Sequence, residues 1–183
     1  NDIALDYSKI AALENDKEEK EKYYLKAVTE YEKTMEKYPE STHSETALNN
    51  ICSVYNDCFY MFSQVEKDEK MKSRYYIKKT IENREEFVKK YPGGFNSKFN
   101  LYLLSLNYYF EGSSYYLDDT GEMENLKKSC LNSINSVKRF NSEYPDDIMN
   151  YYSDFLLILN YNYIANASIT MSDNKEEAGK YYD

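Results

Sequence analysis

Apolar and polar positions follow one another along this chain with the period of a helix. From Asp16 to Tyr38 the stripe Tyr24, Val28, Tyr31, Met35, Tyr38 advances in steps of four and three, which lines one face of an amphipathic helix. Adding 53 to each number gives Ile77, Ile81, Arg84, Val88, Tyr91, and adding 53 again gives Cys130, Ile134, Val137, Asn141, Tyr144. Thirteen of these fifteen positions are apolar, tyrosine or cysteine, so each stripe is a seam for a neighbouring helix. Arg84 and Asn141 interrupt it, and Phe87 and Phe140 stand beside them at equal offsets to fill the gap.

Each seam ends on the same dipeptide: Tyr38-Pro39, Tyr91-Pro92 and Tyr144-Pro145 use all three prolines of the chain. Proline disfavours α geometry in the residue before it, so a helix stops near each tyrosine and another starts about five residues on. Capping signals mark the starts: Asp16 with Glu19 as a capping box, Thr42 with Glu45 as another, then Asn96, and Asp146 or Asp147. The second helices are expected at about 44–65, 96–117 and 147–171. Leu48, Ile51, Tyr55 and Phe62 are answered by Leu101, Leu104, Tyr108 and Tyr115, and in part by Leu157 and Tyr161.

Ile3–Leu13 reads as the tail of a preceding helix, and Asp118–Glu122 as a loop and N-cap. Asp173-Asn174-Lys175-Glu176-Glu177 followed by Tyr181-Tyr182 echoes the stretch from Asp16 to Tyr24. The expected fold is therefore all-α: one domain, an α-solenoid of about three antiparallel helical hairpins with partial helices at both ends. Its repeats cover about 16–67, 68–119 and 120–172, and a fourth begins at about 173.

Composition narrows the function. Thirty-two acidic residues against 23 basic ones leave a formal charge of −9, which repels phosphate backbones and anionic headgroups, so nucleic acid is not an expected ligand. The longest apolar run, Phe155–Leu159, is five residues, against the ~20 that a spanning helix needs. Cys52 and Cys58 lie six apart on one expected helix and point to different sides, so with Cys130 they imply no disulfide framework. That favours a reducing compartment.

Around the first Tyr-Pro, Ala27, Tyr31, Thr34 and Pro39 carry the small–aromatic–small–proline spacing with which a tetratricopeptide repeat ends. The later copies read Thr80, Arg84, Phe87, Pro92 and Ser133, Val137, Phe140, Pro145. The repeat of 53 residues exceeds the usual ~34, and Tyr-Pro followed by a polar cap and then Ala47-Leu48 resembles the long-helix variety of bacterial outer-membrane assembly lipoproteins and periplasmic envelope coordinators. The resemblance implies a non-enzymatic scaffold at the periplasmic face of the outer membrane that docks other envelope proteins or peptides. It also implies a lipid anchor outside this segment. A cytoplasmic adaptor of the same repeat type is the alternative.

The search for chemistry adds no catalytic, cofactor or metal site. His43 follows the first Tyr-Pro, where it reads as a loop or capping residue, since neither equivalent loop has a histidine. Asp118, Asp119, Glu122 and Glu124 lack the alternate oxygen ligands of a calcium loop, and the cysteines lack close Cys-x-x-Cys or histidine partners for zinc. Phosphate-binding glycine patterns are absent.

What remains is surface. If the helix after each proline lines a concave face, as the resemblance implies, two columns repeat along it: Asn49, Tyr102, Phe155 and Asn56, Tyr109, Asn162. Asparagine and tyrosine suit peptide recognition. The competing reading is that these tyrosines fill gaps between helices. A third possibility is a carbohydrate-binding subunit with tyrosine platforms.

Overall fold

The computed structural model describes residues 2–63, 69–116 and 122–171, and every regular element longer than one turn among them is an α-helix. In chain order these are α1 (Asp2–Leu13), α2 (Lys17–Lys37), α3 (Thr42–Ser63), α4 (Lys70–Lys90), α5 (Phe95–Tyr116), α6 (Met123–Glu143) and α7 (Asn150–Met171). The expected ends at Val65 and Leu117, the loop at 118–121, and the start of a fourth repeat at 173–182 lie outside the described residues.

The three Tyr-Pro joints share one geometry. Tyr38, Tyr91 and Tyr144 have φ of −137°, −123° and −133° with ψ of 59°, 61° and 61°, outside the α region, as the following proline requires. Each tyrosine still donates its backbone N–H to the carbonyl four residues back, at 2.9–3.0 Å, and so closes the last turn before the chain leaves the helix. Consequently α2, α4 and α6 all run 21 residues and start at Lys17, Lys70 and Met123, with the spacing of the joints. α3 and α5 keep that spacing, whereas α7 starts two residues late.

The starts differ more from expectation. Asp16 does cap α2, accepting from the N–H of Glu18 and Glu19. The reciprocal half of the box is missing, because Glu14 takes the Asp16 N–H and Glu19 pairs with Lys22. At α3 the cap is Ser41, not Thr42: its hydroxyl accepts from Ser44 N–H at 3.3 Å and donates to the Tyr38 carbonyl at 2.8 Å. One residue thus serves both helix ends, and Thr42 is left in the first turn. At α5 the Gly94 carbonyl takes the first-turn N–H of Lys98, which places Asn96 inside the helix; Gly93, at φ +81°, makes the turn before it. Asp147 accepts from Met149 N–H in a turn of its own, so α7 begins only at Asn150.

The chain divides between Pro92 and Gly93 into two compact units. In the first, α1 packs on α2, α2 on α3 and α3 on α4; in the second, α5 packs on α6 and α6 on α7, with a smaller contact between α5 and α7. This is the solenoid-like packing of consecutive helices that the seams predict.

The seams are the core. Tyr24, Val28 and Tyr31 of α2, Ile77, Ile81 and Val88 of α4, and Cys130, Ile134 and Val137 of α6 are buried, and so are Phe87 and Phe140. Arg84, expected to give way to Phe87, is buried beside it near the Cys52 thiol and the Tyr60 hydroxyl, and burial lowers its pKa.

Polar ties fix the helices against each other. In the first unit Glu21 of α2 pairs with Lys72 at 2.6 Å and accepts from the Tyr76 hydroxyl, while the Tyr91 hydroxyl donates to Ser44 Oγ at 3.0 Å. In the second, Ser133 Oγ donates to the Ser105 carbonyl at 2.7 Å, and Asn160 Nδ2 donates to Ser133 Oγ at 2.9 Å, joining α5, α6 and α7 in one buried chain.

All three cysteines are free, as their spacing predicts, and all are buried, which pushes each thiol from 9.0 up to about 12. The folded chain therefore holds these protons more tightly than the unfolded chain does. Their contribution to stability is complete below about pH 9 and is lost as pH climbs from there toward 12. Burial likewise pushes Tyr24 and Tyr55 up to about 12, which adds to the same trend. The urea midpoint of the reduced chain should hold level up to about pH 9 and then fall steadily; a midpoint level to pH 11 would refute this account of the core.

Candidate interaction surface

The surface is built from the helices that follow the prolines. α7 carries one charged residue in 22, Asp154, and its apolar groups go right round the helix, so it has more apolar surface than its described neighbours cover. Leu156, Asn160, Ile164 and Ala167 are buried; Ile164 and Ala167 join Tyr115 of α5 and Leu126, Cys130 and Ile134 of α6 in one cluster. On another side Tyr151, Phe155, Ile158 and Ile169 are exposed, at i, i+4, i+7 and i+18 along one helix face, with Tyr152 exposed at its edge and Ile148 preceding them in the turn.

The six residues singled out by the repeat fall into distinct situations. Asn49 and Asn56 lie half-buried on α3 in the first unit. Tyr102 and Tyr109, on α5, are also half-buried and lie against other rings of the second unit: Tyr102 against Phe140 of α6 at 5.7 Å, Tyr109 against Tyr163 of α7 at 5.5 Å. Burial raises the pKa of both phenols, and a hydrogen bond with Tyr163 adds to the rise at Tyr109. Tyr116, one step further along the same row, meets Tyr163 at 5.1 Å. These tyrosines fill the space between helices. Phe155 and Asn162 hold the same register on α7 and are exposed.

The row therefore has two roles in one unit. On α5 it is the edge against which the following hairpin packs; on α7 the equivalent edge is open. Repeat register selected Phe155 and Asn162 but passed over Tyr151, Tyr152, Ile158 and Ile169. The signal that finds them is the near absence of charge from α7, combined with helical spacing of its large residues.

The first unit has a separate cleft where Leu5, Ser8 and Ala12 of α1 face Asn50, Ser53 and Asp57 of α3 across Tyr24 and Tyr31. Its volume is about 190 Å³, below the ~300 Å³ at which small-molecule sites begin, so it has room for a side chain and not for a metabolite. Of the α3 residues that line it, Asn50 and Asp57 stand one position after Asn49 and Asn56. A second cleft, about 440 Å³, has Glu32, Glu36 and Glu86 around Met35 and Ile51.

His43 sits in the first turn of α3 with its ring at 6.2 Å from that of Tyr38, edge to face. Among the described residues no group of three His, Cys, Asp or Glu side chains is placed to hold a metal ion, and no helix is long and apolar enough to cross a membrane. Comparison of the chain with family models, curated proteins and solved structures gives no match.

Proposed function

We propose that the chain is a non-enzymatic scaffold that binds other proteins, of the long-helix tetratricopeptide-like kind, serving a bacterial cell envelope. The observation that carries the protein-binding part is the open face of α7, where Tyr151, Tyr152, Phe155 and Ile158 stand 58–84% exposed on a helix with a single charge. Contiguous apolar exposure of this kind is costly in water and marks contact with another macromolecule. Tyrosine and phenylalanine supply large area with few rotamers to freeze. The envelope assignment rests on the Tyr-Pro resemblance alone.

A cytoplasmic adaptor is the second reading, and the three free cysteines favour it. Their weight is limited, because thiols buried with pKa values of about 12 are poor nucleophiles and survive oxidising surroundings.

A photo-crosslinking residue placed at Tyr152 should capture a protein in cells, whereas the same residue at Tyr75, exposed on α4, should not. Equal capture from both positions, or saturable glycan binding that Tyr152→Ala abolishes while no protein is captured, would overturn the scaffold reading.

A further inference from the structure

We infer that the outer face of α7 takes the α7 of a second copy of this chain, packed antiparallel about a two-fold axis close to Ile158. The inference rests on the reading of this face as a protein-binding surface and names its partner.

Extent is the first argument. Tyr151 is 84% exposed, Tyr152 63%, Phe155 61% and Ile158 58%, with Ile148 and Ile169 at the two ends. Together they offer roughly 700–800 Å² per copy, close to the ~800 Å² that each partner contributes to a stable interface. The face spans about 30 Å along the helix, so a crossing contact would leave much of it wet, whereas a lengthwise one covers it.

Self-complementarity is the second. A two-fold contact sets each residue against its mirror position, so like charges on the face would oppose each other. The one charge on this side of α7 is Asp154, which accepts a hydrogen bond from Asn141 and lies four residues from the axis, so it does not oppose its own copy. With the axis between Ile158 and Leu159, Ile158 lies beside its own counterpart, Phe155 faces the smaller Asn162, Tyr151 faces Asn166, and Ile148 faces Ile169. Phe155 and Tyr151 thus oppose smaller groups on both sides of the axis. Within the second unit, α7 already receives α5 through Tyr109, Tyr116 and Tyr163, and the open edge continues that row.

The copies are each strongly acidic, so association should tighten as salt screens their repulsion. Sedimentation equilibrium of the full chain at tens of micromolar should give a dimer. Phe155→Glu should weaken it at least 100-fold with helical content unchanged, and Ile3→Glu on α1 should leave it intact. Ile158→Cys should form a disulfide-linked homodimer on mild oxidation, while the buried native thiols stay unreacted. A monomer that tightens with neither salt nor concentration, or an Ile158→Cys chain that does not cross-link, overturns the second copy. Capture of a different protein at Tyr152 by such a monomer would leave the scaffold reading standing and assign the face to that partner.

Discussion

Replacing Phe140 with alanine should cost the second unit about 3–5 kcal/mol, the largest loss expected from any single side chain discussed above. Phe140 is fully buried on α6, with its ring 5.7 Å from Tyr102 of α5 and 5.5 Å from Tyr144 at the helix end. It fills the seam beside Asn141, whose amide oxygen is already committed to the Ser153 hydroxyl at 2.6 Å. Alanine would leave a cavity between these two rings. In solution dilute enough to keep the chain monomeric, Phe155→Ala removes the same atoms from an exposed position and should stay within about 0.5 kcal/mol. Urea denaturation followed by circular dichroism separates the two: the first variant should lower the midpoint at unchanged slope, and the second should leave it in place. Comparable losses from both would mean that α7 has a covering the present packing does not supply.

Gly112→Ala should destabilise by about 1–3 kcal/mol, although alanine is the better helix former by about 1 kcal/mol. A Cβ at this position would sit 3.0 Å from Cys130 Sγ and 3.5 Å from Ser129 Cβ, against the helix that α5 packs on most closely. Cys130 is fully buried in the cluster with Leu126, Ile134 and Ile164, so its sulfur has little space to retreat. The diagnostic is a change of sign: in a Cys130→Ala background the clash disappears, and Gly112→Ala should stabilise. A double-mutant cycle measures the coupling. Stabilisation by Gly112→Ala in the natural background would show that the α5–α6 contact is looser than these distances indicate.

The pre-proline helices were legible because their two signals agree. The apolar stripe says which face is buried, and the proline says where the helix stops; three joints with nearly identical dihedrals follow from that one local rule. Helix starts were harder to read because several residues in a short polar stretch can cap. Ser41 prevails over Thr42 since its hydroxyl also reaches the Tyr38 carbonyl, a contact that depends on the turn having formed. Gly112 was invisible for another reason: its register mates are Phe59 and Ala165, so each helix pair solves its own packing problem within a shared frame.

The candidate site was half legible. Counting by 53 places Tyr102, Tyr109, Phe155 and Asn162 on equivalent rows of α5 and α7. Periodicity cannot say which helix covers a row, and coverage is what makes Tyr109 a spacer against Tyr163 and Phe155 an open contact. The charge-poor composition of α7 is the property in the sequence that distinguishes them, and it is visible only when the whole helix is weighed instead of one column.

The shared Tyr-Pro geometry also makes each joint an error stop. A residue inserted into a continuous helix turns everything beyond it by about 100° and scrambles every downstream face. Here the hydrogen-bond ladder ends at each tyrosine and restarts on new dihedrals, so such an insertion in α2 would misalign α2 alone. Blocks bounded by these joints can be duplicated, lost or exchanged during evolution without rephasing their neighbours, and the late start of α7 shows that the turn after a joint can take residues from the helix that follows.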